Sequence, residues 1–224
     1  MKIAVLGKGK TGSKVIDILN EEKISHTIFD SKNILTTEKL LGHDVVICFL
    51  AAEPLKDYLP ILIDAKIPLV SGTTGFHYSD ELKQKIEKLQ LTWIVANNFS
   101  LGMNLIKNMI ETLGKANKLV SHPEFHIHEI HHTKKLDAPS GTALSWRNWL
   151  GLDCEITSER MGDVIGFHEI TLKTNTEEIK LTHNALDRKI FAEGAVFAAK
   201  KITQQSFNEY GIISFQDLIK KEML

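Results

Sequence analysis

The sequence predicts an α/β half built on a parallel sheet, joined to an α+β half built on a mostly antiparallel one. Three observations carry that expectation. Over roughly the first hundred residues, short β-type runs alternate with helical patterns, the rhythm of βαβ units. After a long amphipathic stretch the texture changes to runs with period-two alternation, which suit strands covered on one face. The carboxyl-terminal stretch then returns to helix, so the chain's end is expected to pack back on the first half.

In order, KIAVLG (2–7) is an apolar run closed by glycine, and VIDILNEEK repeats apolar residues at helical spacing. HTIFD (26–30), DVVICFL (44–50), PLVSG (68–72) and WIVAN (93–97) read as further strands, with LKDYLPILIDAK and DELKQKIEKLQ as helices between the later ones. Residues 100–117 read as one long helix. EFHIHEI (124–130), FHEITLKT (167–174) and EEIKLTH (177–183) alternate as strands, and FAEGAVFAAKKI and SFQDLIKKE close the chain as helices.

Composition narrows the function classes. The chain has 224 residues and a formal net charge of -1, from 27 Lys+Arg against 28 Asp+Glu. Near-neutrality removes the electrostatic reason to propose nucleic acid or an anionic membrane as partner, and favours a small-molecule ligand. Cys48 and Cys154 form no CxxC and suit free thiols in a reducing compartment. With no leader-like cleavage site and no run of transmembrane length, a cytoplasmic protein is expected.

Gly7-Lys8-Gly9-Lys10-Thr11-Gly12 follows the first strand and opens the first helix. Glycines there permit a tight turn and close approach of backbone to a pyrophosphate, whose charge is favoured at a helix N-terminus. Asp30 ends the next strand, at the distance expected for an acceptor of ribose hydroxyls. A dinucleotide site in a Rossmann-type domain is the resulting expectation; the glycine spacing is too short for a phosphate-binding loop of the nucleotide-triphosphatase kind. Gly72-Thr73-Thr74-Gly75 follows the strand PLV and offers hydroxyls and amides to the same ligand, with an ordinary strand-to-helix loop as the alternative.

Glu129 to Trp146 reads EIHHTKKLDAPSGTALSW, with two histidines and two lysines inside five positions. Histidine exchanges protons near neutrality, lysine protonates or anchors a carboxylate, and Ser140-Gly141-Thr142 at a helix start offers free N–H groups to an anion. Together they describe an anion pocket containing an acid, although a solvated basic face would explain Lys134 and Lys135 as well, and Ser140 has a plain role as an N-cap. His126 and His128, with His122, His131 and Glu129, raise zinc as an alternative. There is no helical HExxH and no CxxC, and strand histidines at i, i+2 more often face solvent, so no metal is expected.

His131-His132-x-x-Lys135-x-Asp137-Ala138-Pro139-Ser140-Gly141-Thr142-Ala143 resembles the signature of the 4-hydroxy-tetrahydrodipicolinate (dihydrodipicolinate) reductase family. Resemblance extends to the glycine loop, to Gly72–Phe76, to Asn98-Phe99-Ser100-x-Gly102, and to Arg188-x-x-Phe191-Ala192-x-Gly194-Ala195. It implies a dinucleotide-binding domain of residues 1–101 and 188–224, and a substrate-binding and oligomerisation domain of residues 102–187. It also implies reduction of a cyclic imine dicarboxylate by NADH or NADPH in lysine and diaminopimelate biosynthesis. His131 and Lys135 become the proton-donor candidates, while His132, Ser140, Gly141 and Thr142 would hold carboxylates. The glycine loop, Asp30, Gly72 to Thr74 and Ala96, Asn97, Asn98 and Phe99 would meet the cofactor. Arg188 would lie in an interdomain hinge, and a homotetramer is expected.

Departures from the family pattern are local. The glycine loop is one residue short and carries Lys10-Thr11 where Arg-Met is common, Cys48-Phe49-Leu50 replaces Asp-Phe-Ser/Thr, Asn97 replaces a proline, and the chain between Thr142 and Arg160 is trimmed. Another oxidoreductase acting on an anionic imine or aldehyde, and a silent dinucleotide-binding regulator, are the alternatives; the intact His131, Lys135 and Ser-Gly-Thr set argues against the silent one.

Overall fold

The computed structural model describes residues 1–223, in the order β1 (Lys2–Leu6), α1 (Lys10–Glu21), β2 (Ser25–Phe29), α2 (Thr37–Leu40), β3 (Val45–Cys48), α3 (Ala52–Asp64), β4 (Leu69–Ser71), α4 (Asp80–Lys88), β5 (Thr92–Val95), α5 (Leu101–Ala116), β6 (Glu124–His131), α6 (Gly141–Leu150), β7 (Glu155–Arg160), β8 (Gly166–Lys173), β9 (Glu178–Ala185), α7 (Lys189–Ile202), β10 (Gly211–Ser214) and α8 (Phe215–Glu222). Two units result, residues 1–101 with 189–224 and residues 102–188. Among the described residues no helix is long and apolar enough to cross a membrane.

The first unit is a six-stranded, wholly parallel sheet in the order β10-β5-β4-β3-β1-β2. Its central strands read as continuous apolar runs because both faces are covered. Ile3 and Val5 project to one face, where Val15, Ile18 and Leu19 of α1 meet the alanine-rich α7. Ala4 and Leu6 project to the other, against Leu55 and Leu62 of α3 and Ile86 of α4. Small residues on α7 let that helix sit close: a Cβ on Gly194 would lie 1.7 Å from the carbonyl oxygen of Phe99. The sequence pattern does not show α2, a single turn, or β10, four residues at the sheet edge.

Register places the site. Phe29, Leu6, Cys48, Ser71 and Val95 form one row across the sheet, so the residues that follow them emerge together at the carboxyl end. The strand order turns back between β1 and β3, the switch point where open α/β sheets bind ligands.

In the second unit the sheet runs β7-β6-β8-β9. Pairs β6–β8 and β8–β9 are antiparallel, while β7, which the sequence pattern does not reveal, runs parallel to β6. Ile127 and Ile170 face Met103 and Ile110 of α5 and Ala143, Trp146 and Leu150 of α6. Helix α6 begins on Ser140, whose Oγ accepts from Ala143 N, and stops at Gly151 in a left-handed conformation. Only residues 152–154 separate that stop from β7.

Candidate active site

At the carboxyl end of the parallel sheet, the N–H of Gly7 donates to Phe29 O, that of Phe49 to Leu6 O, that of Gly72 to Cys48 O and that of Ala96 to Ser71 O, at 2.9–3.1 Å. The glycine loop, Asp30, Gly72 and Ala96 therefore emerge in one row along that end of the sheet. Gly7 has φ +99°, and a Cβ on Gly12 would lie 2.0 Å from Gly7 O. A Cβ on Gly72 would enter the Phe49 ring at 2.1 Å. Gly9 differs: it caps α1 in extended conformation, and a Cβ there would meet nothing within 4 Å. The first turn of α1 carries no acid, no side chain caps it, and Lys8 and Lys10 flank it exposed. Open space, unpaired amides and cations fit a pyrophosphate.

Asp30 Oδ1 accepts from the backbone N–H groups of Lys32 (2.8 Å) and Asn33 (3.0 Å). Those bonds, Lys32 first, hold its carboxyl below the usual value, and Lys8 adds to the effect. The carboxylate thus stands ionised and fixed beside the glycine loop. Thr74 is exposed, whereas Thr73 is buried, with its hydroxyl 3.8 Å from Cys48 Sγ. Asn97 and Asn98 lie after β5, and Asn98 Oδ1 accepts from Ser100 N. Phe99 is turned into the core, against Phe49 and Phe215, which leaves its backbone as what it offers a ligand. Arg188 is the last residue of the second unit.

The second unit centres on one buried carboxylate. Glu129, fully buried, points to the same sheet face as His131. Its Oε2 accepts from His131 Nδ1, and its Oε1 accepts from Arg160 Nη1 (3.1 Å) and Ser140 N (3.2 Å). Burial works to raise the Glu129 pKa, but hydrogen bonds including those from Arg160 and His131 outweigh it and keep the carboxyl below its ordinary value. Burial depresses the His131 pKa; Glu129 opposes this, and the charges of Lys135 and Arg160 add to it.

Lys135 donates to Asp137 Oδ1 at 2.8 Å, and its backbone N–H caps the turn at His132 O. His132 is half-buried, with Nδ1 unpartnered. Ser140 is turned inward, its Oγ engaged by Ala143 N and by His168 Nε2 (3.2 Å). That finding moves the expected anion contact off Ser140. The groups left at the start of α6 are the amides of Gly141 and Thr142, which have no intrahelical acceptor.

Glu129, Arg160, His168 and Gly166 were not assigned from the motif. For Glu129, Gly166 and His168 the signal was present in i, i+2 spacing, Glu129 with His131 and Gly166 with His168, which puts each pair on one strand face, whereas Arg160 carries no local signal. Glu129, His131 and His168 offer ligand atoms within 4.8 Å of one another, but the Arg160 guanidinium already occupies the carboxylate that a cation would need. His126 and His128 are half-buried rather than solvated, because β7 brings Thr157 Oγ1 within 3.0 Å of both rings.

Burial, then the charge of His131, pushes the His168 imidazole down to about 3. The unfolded chain therefore takes up a proton near pH 6.5 that the folded one refuses until about 3. Stability attributable to His168 is full above the ordinary histidine pKa and lost as pH falls between these values. Acid-unfolding curves of His168→Gln are expected to be flatter over that window than those of the parent chain.

Two family models match, the amino-terminal part of dihydrodipicolinate reductase over residues 1–99 and its carboxyl-terminal part over residues 102–219. The chain belongs to the dihydrodipicolinate reductase family. It is 32% identical to the 4-hydroxy-tetrahydrodipicolinate reductase of Thermosipho africanus over all of both chains. It is also 32% identical to that of Bdellovibrio bacteriovorus, over 95% of this chain and 94% of that one. Among solved structures, a dipicolinate-bound dihydrodipicolinate reductase from Paenisporosarcina sp. TG-14 superposes with a TM-score of 0.79 at 20% identity, covering 97% of this chain and 99% of that one. Within the family the present chain, at 224 residues, is a short member.

Proposed function

We propose that the chain reduces 4-hydroxy-tetrahydrodipicolinate to tetrahydrodipicolinate with loss of water, using NADH or NADPH, in lysine and diaminopimelate biosynthesis. The observation that carries the reading is that, in a member of this family, one buried carboxylate engages His131 directly, the Lys135 loop through Arg160, and the start of α6 through Ser140 N. When bound, the nicotinamide dinucleotide supplies the hydride. Gly7 to Gly12 would hold its pyrophosphate, Asp30 its ribose, and Gly72 to Thr74 with Ala96 to Phe99 the rest.

The chain's own residues have the remaining work of holding a dianion and delivering a proton. Gly141 and Thr142 amides at the N-terminus of α6, with His132, bind carboxylate oxygens. Lys135, a cation on the loop before α6, and His131, whose Nε2 is its nitrogen away from Glu129, are the proton donors. The proton leaves with the substrate hydroxyl as water, which balances the hydride gained. Oxidation of reduced cofactor should follow addition of pyruvate, aspartate semialdehyde and the synthase that condenses them. No oxidation with all three present would refute the reading, and equal oxidation without the synthase would point to a different anionic imine or aldehyde.

Cofactor preference rests on Asp30. Its carboxylate suits the two ribose hydroxyls of NADH and repels a 2′-phosphate, while Lys10, Lys14 and Lys32 offset part of that repulsion. Dual use is expected, with NADH at least as good as NADPH and a preference on the order of tenfold or less. Asp30→Ala should shift kcat/KM toward NADPH; a parent preference for NADPH above about a hundredfold would mean that Asp30 does not meet the ribose.

Assembly as a cytoplasmic homotetramer through the second unit's sheet completes the proposal. The face bearing His126, His128, Phe167, Glu169 and Lys180 is the one opposite Ile127 and Ile170, which α5 and α6 cover. At one end of it Ile130, Met161, Val164, Phe167 and Leu186 line a depression of ≈ 390 Å³. Light scattering showing only monomer at micromolar concentration would refute the assembly.

A further inference from the structure

We infer that Glu129 and Arg160 are the positioning pair of this active site: Glu129 fixes the His131 tautomer while Arg160 locks the Lys135 loop to the same carboxylate. The inference rests on the reaction assigned above and names residues to which neither the motif nor the family resemblance gave a role.

Geometry carries it. A carboxylate accepts and cannot donate, so the proton on His131 Nδ1 is the one shared with Glu129. That leaves Nε2 as the nitrogen that gains and loses a proton. Nε2 has no hydrogen-bond partner among the described residues, and it faces Gly166, where a Cβ would stand 3.2 Å from it. Any side chain at 166 would crowd that nitrogen. Glycine at this place in β8 keeps it clear.

Arg160 does the complementary task. Beyond Glu129, its guanidinium donates to the carbonyl oxygens of Lys135 (Nε, 3.2 Å), Asp137 (Nη2) and Glu159 (Nη1, 2.7 Å). One side chain on β7 thus ties down the backbone on both sides of residue 136. Ser140 N, on the same Glu129 oxygen as Arg160, brings in the start of α6. Three separately encoded parts, the imidazole, the lysine loop and the anion-binding helix start, are referred to one buried carboxylate. Neither partner is free to leave: an unpaired charge at this depth is strongly destabilising, so the pair holds its geometry.

The charged and titratable groups around His131 are Glu129 on its own strand, Lys135 on the loop, Arg160 on β7 and His168 on β8, with His183 on β9 behind His168. Glu129 raises the His131 pKa, whereas Lys135 and Arg160 lower it. Removing the negative charge should therefore displace the His131 titration to lower pH, and removing the guanidinium should displace it to higher pH. A general loosening of the fold would not produce opposite displacements.

The experiment is nitrogen NMR on histidine-labelled full-length protein, parent, Glu129→Gln and Arg160→Gln, with steady-state kinetics on the same samples. Expected are an Nδ1–H tautomer in the parent, a downward titration shift in Glu129→Gln and an upward one in Arg160→Gln. Glu129→Gln should lower kcat by about a hundredfold or more with little change in KM for the dinucleotide, as expected when a catalytic imidazole loses its orienting carboxylate. An Nε2–H tautomer in the parent, shifts of the same sign in both variants, or parental kcat in Glu129→Gln would overturn the assignment. If Glu129→Gln does not fold, the parent tautomer and the Arg160→Gln titration still decide. Absence of turnover in the parent would strike the reaction, not the pair, since the tautomer is read without substrate.

Discussion

Lys135→Ala and His131→Gln are each expected to lower kcat by about two to four orders of magnitude, the range for losing a positioned acid. Dinucleotide binding, followed by quenching of protein fluorescence, should be nearly unchanged, because both residues lie in the second unit and the glycine loop in the first. The structure argues that the loss will not come from unfolding. Lys135 makes one partly exposed ion pair, with Asp137, and such pairs contribute little to stability. A glutamine at 131 retains an N–H that can donate to Glu129, so the buried carboxylate keeps three donors. What goes is the titratable nitrogen. Parental turnover in either variant would remove that residue from the proton-donor pair and leave the other as the acid.

Much of the fold was legible because burial on both faces of a parallel sheet writes itself as unbroken apolar runs. IAVL, VVIC and LVS are buried throughout, and each was marked by a glycine, an acid or a proline at its edge. β7 was not legible. EITSER alternates weakly, since it is an edge strand with exposed Glu155 and Glu159, and nothing local says that it pairs in parallel with β6. β10 is short and follows a loop, so its identity comes from its pairing with β5 rather than from its own four residues.

The site divides in the same way. Residues that act through local backbone, such as the glycines of the first turn or the Ser140 cap, can be read from spacing. Residues that act by meeting across the sheet cannot. Arg160 is 31 positions from Glu129 and gains its meaning only from the β6–β7 register, which sets His131 against Arg160. The same limit explains Ser140: its place in the motif suggested a ligand contact, but pairing of β6 with β8 brings His168 to its hydroxyl and turns it inward. Phe99 likewise sits in a matching motif and spends its side chain on the core.

Two glycines of the first loop are expected to fail in different ways. Gly12 lies inside α1 where the helix crosses the end of β1, and a methyl group there would stand 2.0 Å from the Gly7 carbonyl oxygen. That atom is backbone in a residue with φ +99°, so it has little freedom to give way. Gly12→Ala should therefore destabilise the first unit by on the order of 3 kcal/mol, a fall in Tm of roughly 6–12 °C for a chain of this size. Gly9→Ala makes no such clash, since its backbone is in the extended region open to any residue and the space before it is empty. Its fold should stay within about 1 kcal/mol of the parent. Yet the methyl would occupy the space that the pyrophosphate needs in order to reach the α1 amides, so affinity for reduced dinucleotide should fall by at least about tenfold, or 1.4 kcal/mol. Thermal melts and dinucleotide titrations on the two variants separate the roles: one glycine is required by the protein's own backbone, the other by the ligand's approach. Should Gly9→Ala bind the dinucleotide as tightly as the parent, the pyrophosphate does not lie against this helix, and the cofactor assignment of the glycine loop fails even with the fold intact.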